Sequence, residues 1–249
     1  LVTCQGFDAA DQMRRYVCWM NEGYLSSTGA CFDIGNTVRR ALLEFQETEQ
    51  PFCGPTDRHS AGNGSLMRLA PIPMLYRRTP AAVIRQAAQS SRVTHGARVA
   101  VDCCRYLAGI IAGALNGEGR EALLGPLYSP LPHAWEEYPL APEVEEVARG
   151  SFKRLQPPEI EGSGYAVKSL EAALWAFHKA EDFRHGSLLA VNLGDDADTT
   201  GAIYGQMAGA YFGEGDIPET WRSLVLRWPA GREGVILEIA DKLLELAER

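Results

Sequence analysis

Ala97-Arg-Val-Ala-Val-Asp-Cys-Cys-Arg-Tyr-Leu-Ala-Gly-Ile-Ile-Ala-Gly-Ala-Leu115 is the stretch that decides the fold. It is apolar almost all the way round a helical wheel, and Asn116-Gly117 behind it is a stop signal. A helix apolar on every side must be buried on every side, which demands a shell of other elements around it. The surrounding chain supplies helices for that shell. Asp8 is placed to cap a helix through Met13, Tyr16, Val17 and Met20 that stops near Gly23. A second covers Asn36 to Gln46, with Val38, Leu42 and Phe45 on one side. Thr79-Pro80 reads as a cap followed by proline at the first helical position, opening Ala81 to Ser90. Further helices fit Val167 to Lys179, part of Leu188 to Asn192, Thr200 to Phe212, Glu219 to Trp228 and Glu233 to Glu248. Period-2 alternation is never sustained over five residues, so the chain reads as an all-α, compact multi-helix bundle.

Gly125 to Gly164 is the weakest stretch, with seven of the 14 prolines. It reads as a long surface excursion interrupted by a short helix around Glu143 to Arg154, within a single domain spanning 1–249. Composition agrees with an ordinary globular protein: 249 residues, 46% hydrophobic, 22% charged. The net charge of −8 and the lack of a basic tract argue against a nucleic-acid partner. The longest apolar run, Tyr106 to Leu115, is far short of a membrane span. Six cysteines without a Cys-x-x-Cys pair read as reduced thiols in a cytoplasmic protein.

Chemistry concentrates in Asn192-Leu-Gly-Asp-Asp-Ala-Asp-Thr-Thr-Gly201. Five oxygen-bearing side chains fall within six residues at a helix start. One Asp would cap the helix, but three crowded carboxylates repel one another, and a hard cation such as Mg²⁺ or Mn²⁺ accounts for them. Glycines at 201, 205, 209 and 213 follow. Interior glycines cost about 1 kcal/mol each against alanine, so the stripe predicts close packing that seats this helix in the core. Gly62-Asn-Gly-Ser65 is a glycine-rich loop whose amides suit a phosphate, and a plain turn has the same composition. Asp33, ahead of Asn36, reads equally as a cap or an acid at a site. His95 lies between two helical runs and reads as a buried structural histidine or as a site residue. Gly162-Ser-Gly-Tyr165 is a turn whose aromatic suits stacking on a base.

Taken together, Gly62-Asn-Gly-Ser-Leu-Met-Arg68, Thr94-His95, Gly162 to Trp175 and Asn192 to Gly201 resemble the ADP-ribosylglycohydrolase family, in the family's order along the chain. The resemblance implies an all-α bundle with a two-metal centre (Mg²⁺ or Mn²⁺) in a cleft. It implies hydrolysis of the N-glycosidic bond between ADP-ribose and an arginine side chain, with an ADP-ribosylated protein or ADP-ribose as partner. On the family pattern Asp196, Asp198 and Thr199 would be metal ligands, and Asp33 and Asp196 the catalytic acids. Asn36, Asn63, Gly64, Ser65, Met67, His95, Gly164 and Tyr165 would contact the substrate. Family members also carry an acidic, glycine-rich first helix and a Thr-Asp-Asp-Thr segment, neither of which is present between Leu1 and Arg249. A dinuclear centre built on Asp196, Asp198 and Thr199 alone would be underliganded. The expectation is weak metal binding and little hydrolysis by these residues alone. The alternatives are an ADP-ribose-binding module, or a hydrolase of serine-linked or poly(ADP-ribose).

Overall fold

In the computed structural model, residues 1–227 and 234–248 are described. Thirteen α-helices follow one another among them: α1 (Ala9–Glu22), α2 (Asn36–Thr48), α3 (Pro71–Tyr76), α4 (Pro80–Arg92) and α5 (Arg98–Leu115) come first. Then come α6 (Arg120–Leu123), α7 (Ala134–Glu137), α8 (Pro142–Ala148), α9 (Ala166–Lys179) and α10 (Phe183–Val191). Last are α11 (Ala197–Phe212), α12 (Glu219–Val225) and α13 (Val235–Ala247). The described residues contain no strand, and the fold is all-α. The expected end of one helix at Trp228 and start of another at Glu233 lie outside the described residues.

The deciding stretch behaves as its composition requires. Helix α5 is buried from Ala100 to Ala114 except at Arg105, and it packs against α3, α4, α6, α8, α9 and α11. Its one buried charge, Asp102, is satisfied rather than stranded. Asp102 accepts from Ala141 N at 2.8 Å and from Arg105 at 2.7 Å, which ties α5 to the start of α8. The termini of α1 also follow the sequence. Asp8 accepts from Asp11 N at 2.7 Å, and Gly23 closes the helix at φ +66°. A Cβ at Gly23 would sit 2.2 Å from Gly29 O, so both conformation and space require glycine there. Thr79 stands at the cap position of α4, but its hydroxyl makes no capping bond.

Two expectations need revision. The excursion from 125 to 164 carries α7 and α8 and a 3₁₀ turn at Ser151–Lys153, split from α8 by Gly150 at φ +101°. Leu140, Ala141, Val144, Val147, Phe152 and Ile160 bury in the same core as α5. The short helix expected around Glu143 to Arg154 is present as α8 and the 3₁₀ turn, whereas α7, a single turn among prolines, leaves no periodicity to read.

The glycine stripe is the second. Among the described residues only Gly201 has a close neighbour, Val191 Cγ1 at 2.9 Å from an added Cβ, and none lies within 4 Å at Gly205, Gly209 or Gly213. The buried face of α11 is instead Thr199, Thr200, Ile203, Tyr204, Met207 and Ala208. The stripe therefore does not seat the helix. Gly186 of α10 makes the tight approach, with Tyr204 Oη 2.1 Å from where its Cβ would be, and Tyr204 donates to Phe183 O at 3.2 Å.

Candidate active site

Three loops meet above the ends of α9 and α11. Gly62 and Tyr165 form an isolated antiparallel bridge. Asn63 N donates to Gly164 O at 3.1 Å, and Ala166 N to Ala61 O at 3.0 Å. Asp196 N reaches Gly162 O at 3.4 Å. The glycine-rich loop, the Gly162–Tyr165 turn and the acidic start of α11 are thereby held as one unit.

Asn63 is the hub. Its Nδ2 donates to Asp196 Oδ2 at 2.7 Å, to Ser169 Oγ at 2.8 Å and to Ser163 O at 3.1 Å. An amide with two N–H donors aimed at three oxygens, one of them a carboxylate, is strongly fixed. Ser65 turns its side chain inward. Its side chain is buried, and its hydroxyl joins a chain from Cys104 Sγ through Ser91 Oγ to His95 O. Among the described residues the amides of Gly64 and Ser65 donate to no protein acceptor, so they remain available to an anion.

His95 lies beneath this loop, with only 2% of its surface exposed. A Cβ at Gly64 would sit 2.9 Å from His95 Cε1. Gly54 and Gly96 pack backbone to backbone beside it, with Gly54 O 2.3 Å from a Cβ at Gly96. Burial, and then the nearby Arg68 charge, hold the imidazole down to about 3, so it is neutral at physiological pH. Tyr165 Oη donates to Glu143, which also binds Arg58 at 3.1 Å. Burial and this carboxylate push the Tyr165 phenol up to about 12.

A cavity of about 660 Å³ opens beside the loop. Asp33, Val38, Gly64, Met67 and Arg68 line it together with Trp19. Asp33 is exposed and adopts φ +49°, a conformation that L residues seldom take outside turns and functional loops. Thr199 Oγ1 lies 3.7 Å from Met67 Sδ, connecting the start of α11 to this wall. Asp198 is exposed and accepts from Thr199 N at 2.8 Å. Asn36 starts α2, is exposed, and lines a separate shallow hollow with Arg39 and Arg40. The structure thus brings Asn63, Gly164, Tyr165 and Asp196 together by direct bonds, with His95 and Gly64 against them. Asp33 and Met67 join through the cavity wall.

Oxygen donors at Asp196, Asp198 and Thr199 are of the type a hard cation prefers. Among the described residues, however, no three Asp, Glu, His or Cys side chains gather as a metal cage. One Asp196 oxygen is also committed to Asn63. The donor type suits Mg²⁺ or Mn²⁺, and the donor number does not close a coordination sphere.

Three supporting residues escape sequence reasoning. Gln206 Nε2 donates to Leu66 O at 3.1 Å and Met67 O at 3.0 Å, while its Oε1 accepts from Ala70 N at 2.6 Å. Arg68 reaches back to Gly64 O at 2.9 Å. Glu143 holds Tyr165. The i, i+4 spacing of Gly64 and Arg68 is a readable signal. Gln206 and Glu143 act from positions 139 and 22 residues distant, and no local pattern marks them.

The whole chain, residues 1–249, matches the family model described as ADP-ribosylglycohydrolase. It is 36% identical over 242 residues to an ADP-ribosylarginine hydrolase, Tri1, of Pseudomonas putida, covering 97% of this chain and 62% of that protein. It is 28% identical over 240 residues to the ADP-ribosyl-[dinitrogen reductase] glycohydrolase of Rhodospirillum rubrum, covering 96% of this chain and 72% of that one. Among solved structures, one titled ADP-ribosylglycohydrolase-related protein complex superposes with a TM-score of 0.78 at 40% identity, over 99% of this chain and 76% of that chain. The chain therefore spans less than two thirds of the Pseudomonas relative's length. Whole-chain agreement in sequence and in fold leads to one conclusion: this chain belongs to the ADP-ribosylglycohydrolase family.

Proposed function

We propose that these residues form the ADP-ribose-binding and hydrolytic part of an enzyme that releases ADP-ribose from protein side chains, arginine foremost. The observation that carries this reading is the bond from Asn63 to Asp196, which fixes the glycine loop against the acidic start of α11 beside the cavity that Asp33 lines. The free amides of Gly64 and Ser65 suit the pyrophosphate, and the Tyr165 ring, held by Glu143, suits stacking beside the base or ribose. Asp33 and Asp196 are the carboxylates available to orient a water and take its proton. Attack at the anomeric carbon then breaks the bond to the guanidine nitrogen, which leaves with a proton.

Asp196, Asp198 and Thr199 would hold Mg²⁺ or Mn²⁺, which when bound supplies positive charge to the ribose hydroxyls and a water. Since these side chains leave the coordination sphere open, none of the steps above depends on it.

The test is release of ADP-ribose from an arginine-linked peptide by the full-length protein. D196A and D198A should abolish turnover with far-UV circular dichroism unchanged, and retained turnover in both overturns the assignment. Serine-linked and poly(ADP-ribose) substrates run in parallel decide the linkage. The open donor set favours a second reading, an ADP-ribose-binding module. Calorimetry with ADP-ribose separates the two, because binding that chelator does not affect, without turnover, is the module's signature.

A further inference from the structure

We infer that Arg68 and Thr94 are positioning residues that lock His95 in the Nε2–H tautomer, so that its loop-facing nitrogen donates a hydrogen bond to a ligand oxygen and does not act as a base. The tautomer follows from the geometry alone, and the ligand's identity as ADP-ribose rests on the function proposed above.

Arg68 has donors only. Its Nη2 donates to Ser90 O at 3.1 Å and to Thr94 Oγ1 at 2.9 Å, its Nη1 to Gly64 O at 2.9 Å, and its Nε to Tyr16 Oη at 2.6 Å. The guanidinium also lies 4.8 Å from the Tyr16 ring centre. Fixed at both ends, it makes Thr94 Oγ1 an acceptor. Thr94 is wholly buried, so its own hydroxyl hydrogen has no water to find. Among the described residues one partner is in reach, His95 Nδ1 at 2.8 Å. If Nδ1 carried the proton, three hydrogens would crowd one oxygen and a buried hydroxyl would go unpaired. Nδ1 therefore accepts, and Nε2 carries the proton.

Nε2 in turn faces the glycine loop. It lies 3.5 Å from where a Cβ at Gly62 would be and 3.2 Å from one at Gly64. Neither glycine has a left-handed φ, so backbone conformation does not require them. Their missing side chains leave room around Nε2 on the loop side. The backbone of His95 is held too, since its N donates to Ser91 O at 2.7 Å and its O accepts from Ser91 Oγ at 2.9 Å. The ring's neutrality at physiological pH agrees with a donor role for a single nitrogen.

Long-range ¹H–¹⁵N correlation spectra of the full-length protein test the lock, because protonated and unprotonated imidazole nitrogens resonate far apart. In the wild type His95 should show Nε2–H. In T94V the Nδ1–H form should become populated, and T94S should restore the wild-type pattern. Titration with ADP-ribose should shift the Nε2 resonance, with affinity about tenfold weaker in T94V and within about twofold of wild type in T94S. Nδ1–H in the wild type, or an unchanged tautomer in a folded T94V, overturns the inference. If T94V does not fold, the wild-type and T94S spectra still decide the tautomer. A lock that behaves as described while ADP-ribose moves neither signal nor affinity upholds the tautomer and overturns the ADP-ribose reading.

Discussion

Replacing Gly205 and Gly209 together by alanine should stabilise the protein. Both lie inside α11, and an added Cβ at either meets none of the described residues within 4 Å. With no steric term to pay, the helix propensity difference acts alone, at about 1 kcal/mol per site or about 2 kcal/mol for the pair. In a chain of this size that raises Tm by about 4–8 °C. G113A is the matched control, another interior helix glycine with the same propensity term. There a Cβ would lie 2.0 Å from Tyr128 Oη and 2.8 Å from Leu123 Cδ2, and Leu123 is fully buried. Overpacking costs about 1–3 kcal/mol, so Tm should fall despite the better helix former. Differential scanning calorimetry of the two variants beside wild type reads both signs. A lower Tm for the Gly205/Gly209 variant would refute the reasoning, since it would mean that this face of α11 is closely covered.

Three further outcomes are expected. Burial holds His95 down to about 3 in the fold against 6.5 when unfolded, so its neutral form adds stability on the order of 5 kcal/mol above pH 6.5, and this is lost as pH falls toward 3. In H95Q the stability difference from wild type, measured by urea denaturation, should accordingly shrink across that interval; a constant difference argues against it. N63A removes the bonds to Asp196, Ser169 and Ser163 and should cost about 2–3 kcal/mol by the same method, with a parallel loss of ADP-ribose binding by calorimetry. A cost below about 0.5 kcal/mol would deny Asn63 its place as the hub. In E143Q, ultraviolet titration should place the Tyr165 phenol below 12 yet still above 10.0, because the carboxylate's contribution goes while burial stays.

Much of the bundle is legible in local sequence because local physics decides it. The all-round apolarity of α5 demands a shell, and Asp8 and Gly23 bound α1 through a side-chain acceptor and a left-handed φ. The single turn of α7 is too short for periodicity to register, and the depth at which α8 and the 3₁₀ turn bury Val144, Val147 and Phe152 in the core of α5 comes from tertiary packing. The glycine stripe misleads for a related reason. Spacing tells which residues share a face of α11, but whether that face meets a neighbour depends on where α9, α10 and α5 lie.

The site divides along the same line. By itself the sequence determined which chemical groups the protein carries and their local order: a glycine-rich loop, an acidic helix start, a histidine between helices and an aromatic turn. Those follow from residue type and from spacings of a few positions. Only the tertiary structure decided that Asn63 bonds Asp196 across 133 residues, that Ser65 spends its hydroxyl inward, and that Arg68 reaches His95 through Thr94. Hydrogen bonds act over about 3 Å in space and are indifferent to separation along the chain, so only the packing of the helices could bring these partners together.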